Sequence, residues 1–216
     1  FGGHFHNDNS LAVFRDIPGV IVATPSNGGD AVRMLRTCAD EAWSRGRVVV
    51  FVEPIALYMT RDLLEPNDKS WSFTYPEANE RIRLGDFGIW GERGDLTIVT
   101  YGNGVYYSRQ AANDLLQNHG IKTRIVDLRW IAPIDKDQLV DTLQDDSHIL
   151  IVDECRKTGS VSEFIAGLII ERIQPAPRVR IEAADDCFIP LGKAAAVGLP
   201  SRESIERSAL QLLNRV

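Results

Sequence analysis

From position 20 onward, compact β-branched runs alternate with amphipathic stretches, the pattern of βα units stacking on a parallel sheet. Residues 19–23, Gly-Val-Ile-Val-Ala, predict a buried strand. Thr24 to Asp30 is turn chemistry with an N-cap, after which Ala31, Leu35, Cys38 and Ala42 recur near helical spacing, predicting a helix to about Trp43. Residues 47–53, Arg-Val-Val-Val-Phe-Val-Glu, form a second apolar run stopped by Pro54, which completes a βαβ unit. Between 60 and 93 the periodicity collapses into a stretch rich in Pro, Asn, Asp, Glu and Gly. Trp71, Phe73, Tyr75 and Trp90 are too many aromatics for a disordered segment, so this stretch is predicted to pack along a domain surface.

A new series opens at residues 96–101, continues through a helix from about 105 to 118, and is stopped by Gly120 in a C-cap position. Strands follow at 123–128, 148–153 and 178–183, separated by helices at 135–143 and 160–173. Ser201 caps a last helix whose apolar face carries Ile205, Ala209, Leu212 and Leu213. The chain therefore divides into residues 1–60, a linker at 61–94, and a self-contained α/β domain at 95–216.

Composition narrows the partners. The 216 residues carry a formal net charge of -6, and the lysines and arginines are scattered, so no footprint for a nucleic-acid backbone is present. No apolar run approaches the roughly 20 residues that a membrane helix needs. Cys38, Cys155 and Cys187 are odd in number and far apart, which suggests neither a disulfide framework nor a zinc site and points to a reducing cytoplasm. The first residue is Phe rather than Met, so the chain reads as a mature or truncated product.

Four places carry candidate chemistry. His4 and His6 project to one side if the loop is extended, with Asp8 nearby. Solvated histidines, a metal pair and an acid/base imidazole all remain open there. Tyr101-Gly102-Asn103-Gly104 lies between a strand and a helix, with Asp127 closing the next strand, as in a dinucleotide fingerprint. The third glycine is replaced by Tyr107, which favours a purely structural tight turn. Glu53 ends a parallel strand, where α/β proteins place ligands, although an interface salt bridge or a cap to a neighbouring loop is the favoured role. Glu154 holds the equivalent place in the second half, with Lys157-Thr158-Gly159-Ser160 turning into a helix N-terminus that either binds an anion or is satisfied by nearby carboxylates.

Several segments, in order, resemble one family. Gly2-Gly3-His4-Phe5-His6-Asn7-Asp8-Asn9-Ser10, Ile17-Pro18-Gly19, Val22-Ala23-Thr24-Pro25 and Phe51-Val52-Glu53-Pro54 are similar to the late pyrimidine-binding domain of the β subunits of thiamine-diphosphate-dependent 2-oxo acid dehydrogenases. Val126-Asp127-Leu128-Arg129-Trp130-Ile131-Ala132-Pro133, then Asp153-Glu154 and Thr158-Gly159, resemble the transketolase-type C-terminal domain, the first stretch being the most specific. The resemblance implies an α/β fold: the end of a pyrimidine-binding domain followed by a C-terminal domain with a mostly parallel sheet. It also implies a parent enzyme that decarboxylates a 2-oxo acid on thiamine diphosphate with Mg2+ and passes the acyl group to a lipoyl-bearing acyltransferase. By the same resemblance His6 is the active-site histidine, with Asn7 where the family often has serine. The diphosphate and metal anchors belong to a separate diphosphate-binding domain or α subunit, so these 216 residues alone are expected to bind the cofactor weakly and to be inactive. A homo-oligomer is expected too. Two alternatives are a non-catalytic module for subunit assembly and acyltransferase docking, and a transketolase-like ketol transferase.

Overall fold

The computed structural model describes residues 9–215. In chain order these form α1 (Ala12–Arg15), β1 (Ile21–Ala23), α2 (Gly28–Arg45), β2 (Val49–Phe51), β3 (Gly88–Trp90), β4 (Leu96–Thr100), α3 (Asn103–His119), β5 (Thr123–Asp127), β6 (Trp130–Ala132), α4 (Lys136–Leu143), β7 (His148–Arg156), α5 (Val161–Arg172), β8 (Arg178–Ala184) and α6 (Arg202–Leu212). Short 3-10 turns lie at Ile55–Leu57 and Gly192–Ala196. The strands form two sheets, ordered β2-β1-β6 and β3-β5-β4-β7-β8. The fold is the expected α/β class, with β5, β4, β7 and β8 all parallel.

Local chemistry explains the helix limits. The Asn27 side chain accepts from the Asp30 amide to start α2, and Gly46 ends it in a left-handed conformation at φ 63°. Gly120 closes α3 in the same way, its N–H reaching the carbonyls of Leu115 and Leu116. At the start of α6, Ser201 and Ser204 exchange side-chain-to-amide bonds of 3.1 and 2.9 Å, a reciprocal capping box.

The larger sheet is covered on both faces, which is why its strands read as unbroken apolar runs. Leu96, Ile98, Ile125, Leu150 and Val152 meet Ala111 and Leu115 of α3 and Ile205 and Ala209 of α6 on one side. Val99, Val126, Ile149 and Ile151 turn to the other, against Leu139 and Leu143 of α4 and Ile165 and Leu168 of α5. Val22 of the smaller sheet belongs to that second cluster, so one continuous core runs through both sheets. Within 61–94, Trp71 is buried and stacks on Trp90 of β3, their ring centroids 6.0 Å apart.

Two strands escaped the sequence pattern, β3 and β6, each three residues long. β6 changes the architecture. Having left β5 of the larger sheet, the chain passes through Arg129 in a left-handed conformation at φ 58° and pairs antiparallel with β1 of the smaller one. The Arg129 carbonyl accepts from the Thr24 amide at 2.7 Å. Trp130, fully buried, then packs with Ile21, Ala23, Met34 and Cys38.

Trp130→Ala should therefore lower the free energy of unfolding by about 3–5 kcal/mol, the scale of an aromatic deletion in a packed core. Urea denaturation followed by circular dichroism measures it. A loss below about 1 kcal/mol would show that the joint between the sheets does not depend on this ring.

Candidate functional site

The carboxyl ends of parallel strands from both sheets open on one cleft of about 930 Å³. Thr24 follows β1, and Val52, Glu53 and Pro54 follow β2; Tyr101, Gly102 and Asn103 follow β4, and Glu154 projects from β7. Asn9, Ser10 and Leu11 add one wall, and residues from 189 to 199 another.

Beneath the cleft lies a buried polar network centred on Asp153, which is 1% exposed. The Tyr101 hydroxyl donates to Asp153 Oδ1 at 2.5 Å, and the Cys155 amide donates to the same oxygen at 2.9 Å. Asp153 Oδ2 accepts from the Ser162 amide at 3.0 Å, in the first turn of α5. The N-terminus of α5 is thus satisfied by a carboxylate of the chain itself, and Glu163 Oε2 takes the Gly159 amide at 2.8 Å. Of the two readings left open for that turn, the structure supports the internal one. Burial, with Asp153 beside it, pushes the Tyr101 phenol well above its ordinary range and the Cys155 thiol up to about 12. A thiol so placed stays protonated and is no nucleophile.

Glu154 is half-buried, and both its carboxylate oxygens lie 2.9 Å from Asn103 Nδ2. Burial raises its pKa and the Asn103 contact offsets part of that rise. It is a carboxyl at the wall of the cleft whose neutral form is favoured by burial. Glu53 is exposed and accepts from the Tyr58 hydroxyl, which raises the Tyr58 pKa. That bond spans the 3-10 turn that follows β2. Among the described residues no three His, Cys, Asp or Glu side chains are grouped to hold a metal ion. His4, His6 and Asp8 lie outside the described residues, and Asn9, three positions after His6, lines the cleft.

The Gly-Asn-Gly turn is built for close packing. Gly102 has φ 53°, and a Cβ on Gly104 would stand 2.0 Å from Thr100 Oγ1. Asp127, fully buried, is engaged elsewhere: Oδ2 accepts from Ser26 Oγ at 2.5 Å and Oδ1 from the Arg129 amide at 3.1 Å. The Arg129 guanidinium turns away to Asp30 at 2.8 Å and to the Phe87 carbonyl at 3.0 Å. Asp127 thus joins the two sheets rather than facing a ligand, and the structural reading of the turn fits. The networks around Asp127 and Asp153 were not apparent from sequence. The available signal was an acidic residue ending each of two buried strands, Ile125-Val126-Asp127 and Ile151-Val152-Asp153.

Comparison with known proteins agrees with this geometry. The transketolase C-terminal domain family matches residues 87–197. The pyruvate dehydrogenase E1 component subunit beta of Bacillus subtilis (strain 168) is 29% identical over 221 residues, covering 99% of this chain and 63% of that protein. Its counterpart from Staphylococcus epidermidis (strain ATCC 12228 / FDA PCI 1200) is 29% identical over 217 residues, covering 97% and 62%. The chain thus spans just under two thirds of the length of these relatives. Among solved structures, a split-gene transketolase in the form of an inactive beta4 tetramer superposes with a TM-score of 0.71 at 21% identity, covering 99% of this chain and 64% of that one. Transketolase from Leishmania mexicana gives 0.60 at 16% identity, covering 99% and 28%. These two likenesses show the fold.

Burial raises the Asp127 pKa to about 7, against an unfolded value near 4, so the folded state holds a proton that the unfolded chain has released. The stability this contributes is full below about pH 4 and is lost as pH rises toward about 7. Asp127→Asn should remove that dependence. Melting temperatures of the two proteins, taken from pH 4 to 8, should diverge through this window, the wild type falling relative to the variant. Parallel curves would place the ionisation of Asp127 outside it.

Proposed function

Because the chain belongs to the transketolase C-terminal domain family, we propose that it serves as the β-type part of a thiamine-diphosphate-dependent 2-oxo acid dehydrogenase. Its parent would decarboxylate a 2-oxo acid and pass the acyl group to a lipoyl-bearing acyltransferase. The observation that carries this reading is the similarity to pyruvate dehydrogenase β subunits along 99% of the chain, across both sheets and the segment that contains His6.

When bound, thiamine diphosphate supplies the electron sink for the decarboxylation. The described residues offer no group of three His, Cys, Asp or Glu side chains for its metal-bound end. The diphosphate and Mg2+ then fall to a diphosphate-binding domain or an α subunit, and no step is derived through the cofactor. What this chain brings is His6, three positions before Asn9 of the cleft wall, an imidazole that can hold or release a proton during acyl transfer.

Assembly is the second part of the reading. No helix among the described residues is long and apolar enough to cross a membrane, yet Ile55, Met59 and Leu35 are 79, 81 and 53% exposed. Met59 and Leu35 line an apolar groove of about 690 Å³ with Tyr58, Trp71 and Phe73. A surface of this kind suits contact with the diphosphate-binding subunit or a second copy of the chain. Three free cysteines, two of them buried, suit the reducing cytoplasm.

Two measurements test this. Calorimetric titration of the 216-residue chain with thiamine diphosphate and Mg2+ should show no binding at micromolar affinity, worth about 8 kcal/mol; such binding would put the cofactor site within this chain. In the full reading frame reconstituted with its diphosphate-binding partner, His6→Ala should lower acyl transfer to lipoamide by roughly 100-fold while cofactor affinity changes far less. Normal transfer with a lower melting temperature would make His6 structural. Ketol transfer between sugars in place of lipoamide acylation would reassign the reaction.

A further inference from the structure

Cys155 sits in an unusual place for an inert thiol. The ladder between β7 and β8 runs in register from His148 to Asp153 and then shifts before Arg156, so Glu154 and Cys155 fall at an irregularity of the strand. Such irregularities re-aim side chains, often beside functional sites. Glu154 meets Asn103 at the cleft, and Cys155 points into the core cluster that Leu11 packs against.

There the sulfur has three polar neighbours. Cys155 Sγ donates to Asn9 Oδ1 at 3.0 Å, across 146 positions of sequence. The Tyr101 hydroxyl lies 3.2 Å away, and a backbone hydrogen bond comes from Leu11. One residue later, Arg156 Nη2 donates to Ser10 Oγ at 3.0 Å. Residues 9, 10 and 11, which wall the cleft, are therefore each bonded to the end of β7. A valine would fill the same space without offering a donor. The Tyr101 hydroxyl beside the sulfur is itself held by its bond to Asp153 Oδ1.

We propose that Cys155 is a positioning residue: its hydrogen bond to Asn9, set by the break in β7, fixes the wall of the cleft at a position three residues along the chain from His6. This rests on the reading of His6 given above. Cys155 touches no substrate in this scheme, and its effect on the reaction passes through Asn9.

The test uses the full reading frame reconstituted with its diphosphate-binding partner. Cys155→Val should lower kcat for acyl transfer to lipoamide by roughly 10-fold with KM for the 2-oxo acid little changed, because a small misplacement of a reacting group is costly. Cys155→Ser, which keeps a donor, should recover most of that loss. Asn9→Ala removes the acceptor from the surface side with the core intact, and should reproduce the Cys155→Val defect even if the valine variant fails to fold. In a His6→Ala background, Asn9→Ala should cause no further loss, since residues acting as a unit are non-additive. An Asn9→Ala enzyme at the wild-type rate, with His6→Ala slow, overturns this proposal alone. An equal loss from Asn9→Ala with and without His6 also overturns it and makes the contact structural. His6→Ala at the wild-type rate overturns the functional reading and this proposal together.

Discussion

The two sheets are held to each other by a carboxyl group that has lost its water. Asp127 closes β5, and its two oxygens are met by neutral donors, the Ser26 hydroxyl and the Arg129 amide. The Arg129 guanidinium is bonded to Asp30 instead. Desolvation therefore outweighs attraction and favours the neutral acid. Removing either partner would leave a buried polar atom unpaired, a cost comparable to a large part of a domain's net stability. The left-handed turn at Arg129, the entry of β6 into the smaller sheet and the burial of Trp130 all follow directly from that corner.

Because this corner fixes one sheet against the other, the carboxyl ends of their strands face a common space. Asp153 does for the larger sheet what Asp127 does for the joint. It gathers the Tyr101 hydroxyl, the Cys155 amide and the Ser162 amide, tying β4, β7 and α5 at the floor of the cleft. In both places an acidic residue at the end of a buried strand is consumed by the fold, and the carboxyls left at the cleft wall are Glu53 and Glu154.

The sequence made some of this legible for physical reasons. Residues 96–101, 123–128 and 148–153 stood out because strands buried on both faces need every position apolar, and Gly120 and Ser201 because helix ends demand particular backbone and side-chain chemistry. β3 and β6 stayed hidden: three residues carry no periodicity, and β6 gains its identity from β1, more than a hundred positions away. Asp127 resembled the acidic residue of a nucleotide site because strand-end acids look alike until their partners are known. Ser26, its partner, lies in another sheet's turn. His6 emerged only from the family resemblance, since its polar sequence leaves a solvated, a ligating and a catalytic imidazole all open, with the solvated one favoured.

The path of β6 also bears on how the chain comes to be assembled. One edge of β1 is satisfied by β2, which follows within thirty residues, but the other waits for Trp130–Ala132. During synthesis from the N-terminus that edge stays unpaired until the chain has grown past Ala132, a span in which an exposed strand edge invites association with other chains. Such distant pairings carry a high entropic cost of closure and slow the search for the native state. The smaller sheet is thus completed only after β4 and β5 of the larger one have been made, although β1 and β2 precede both.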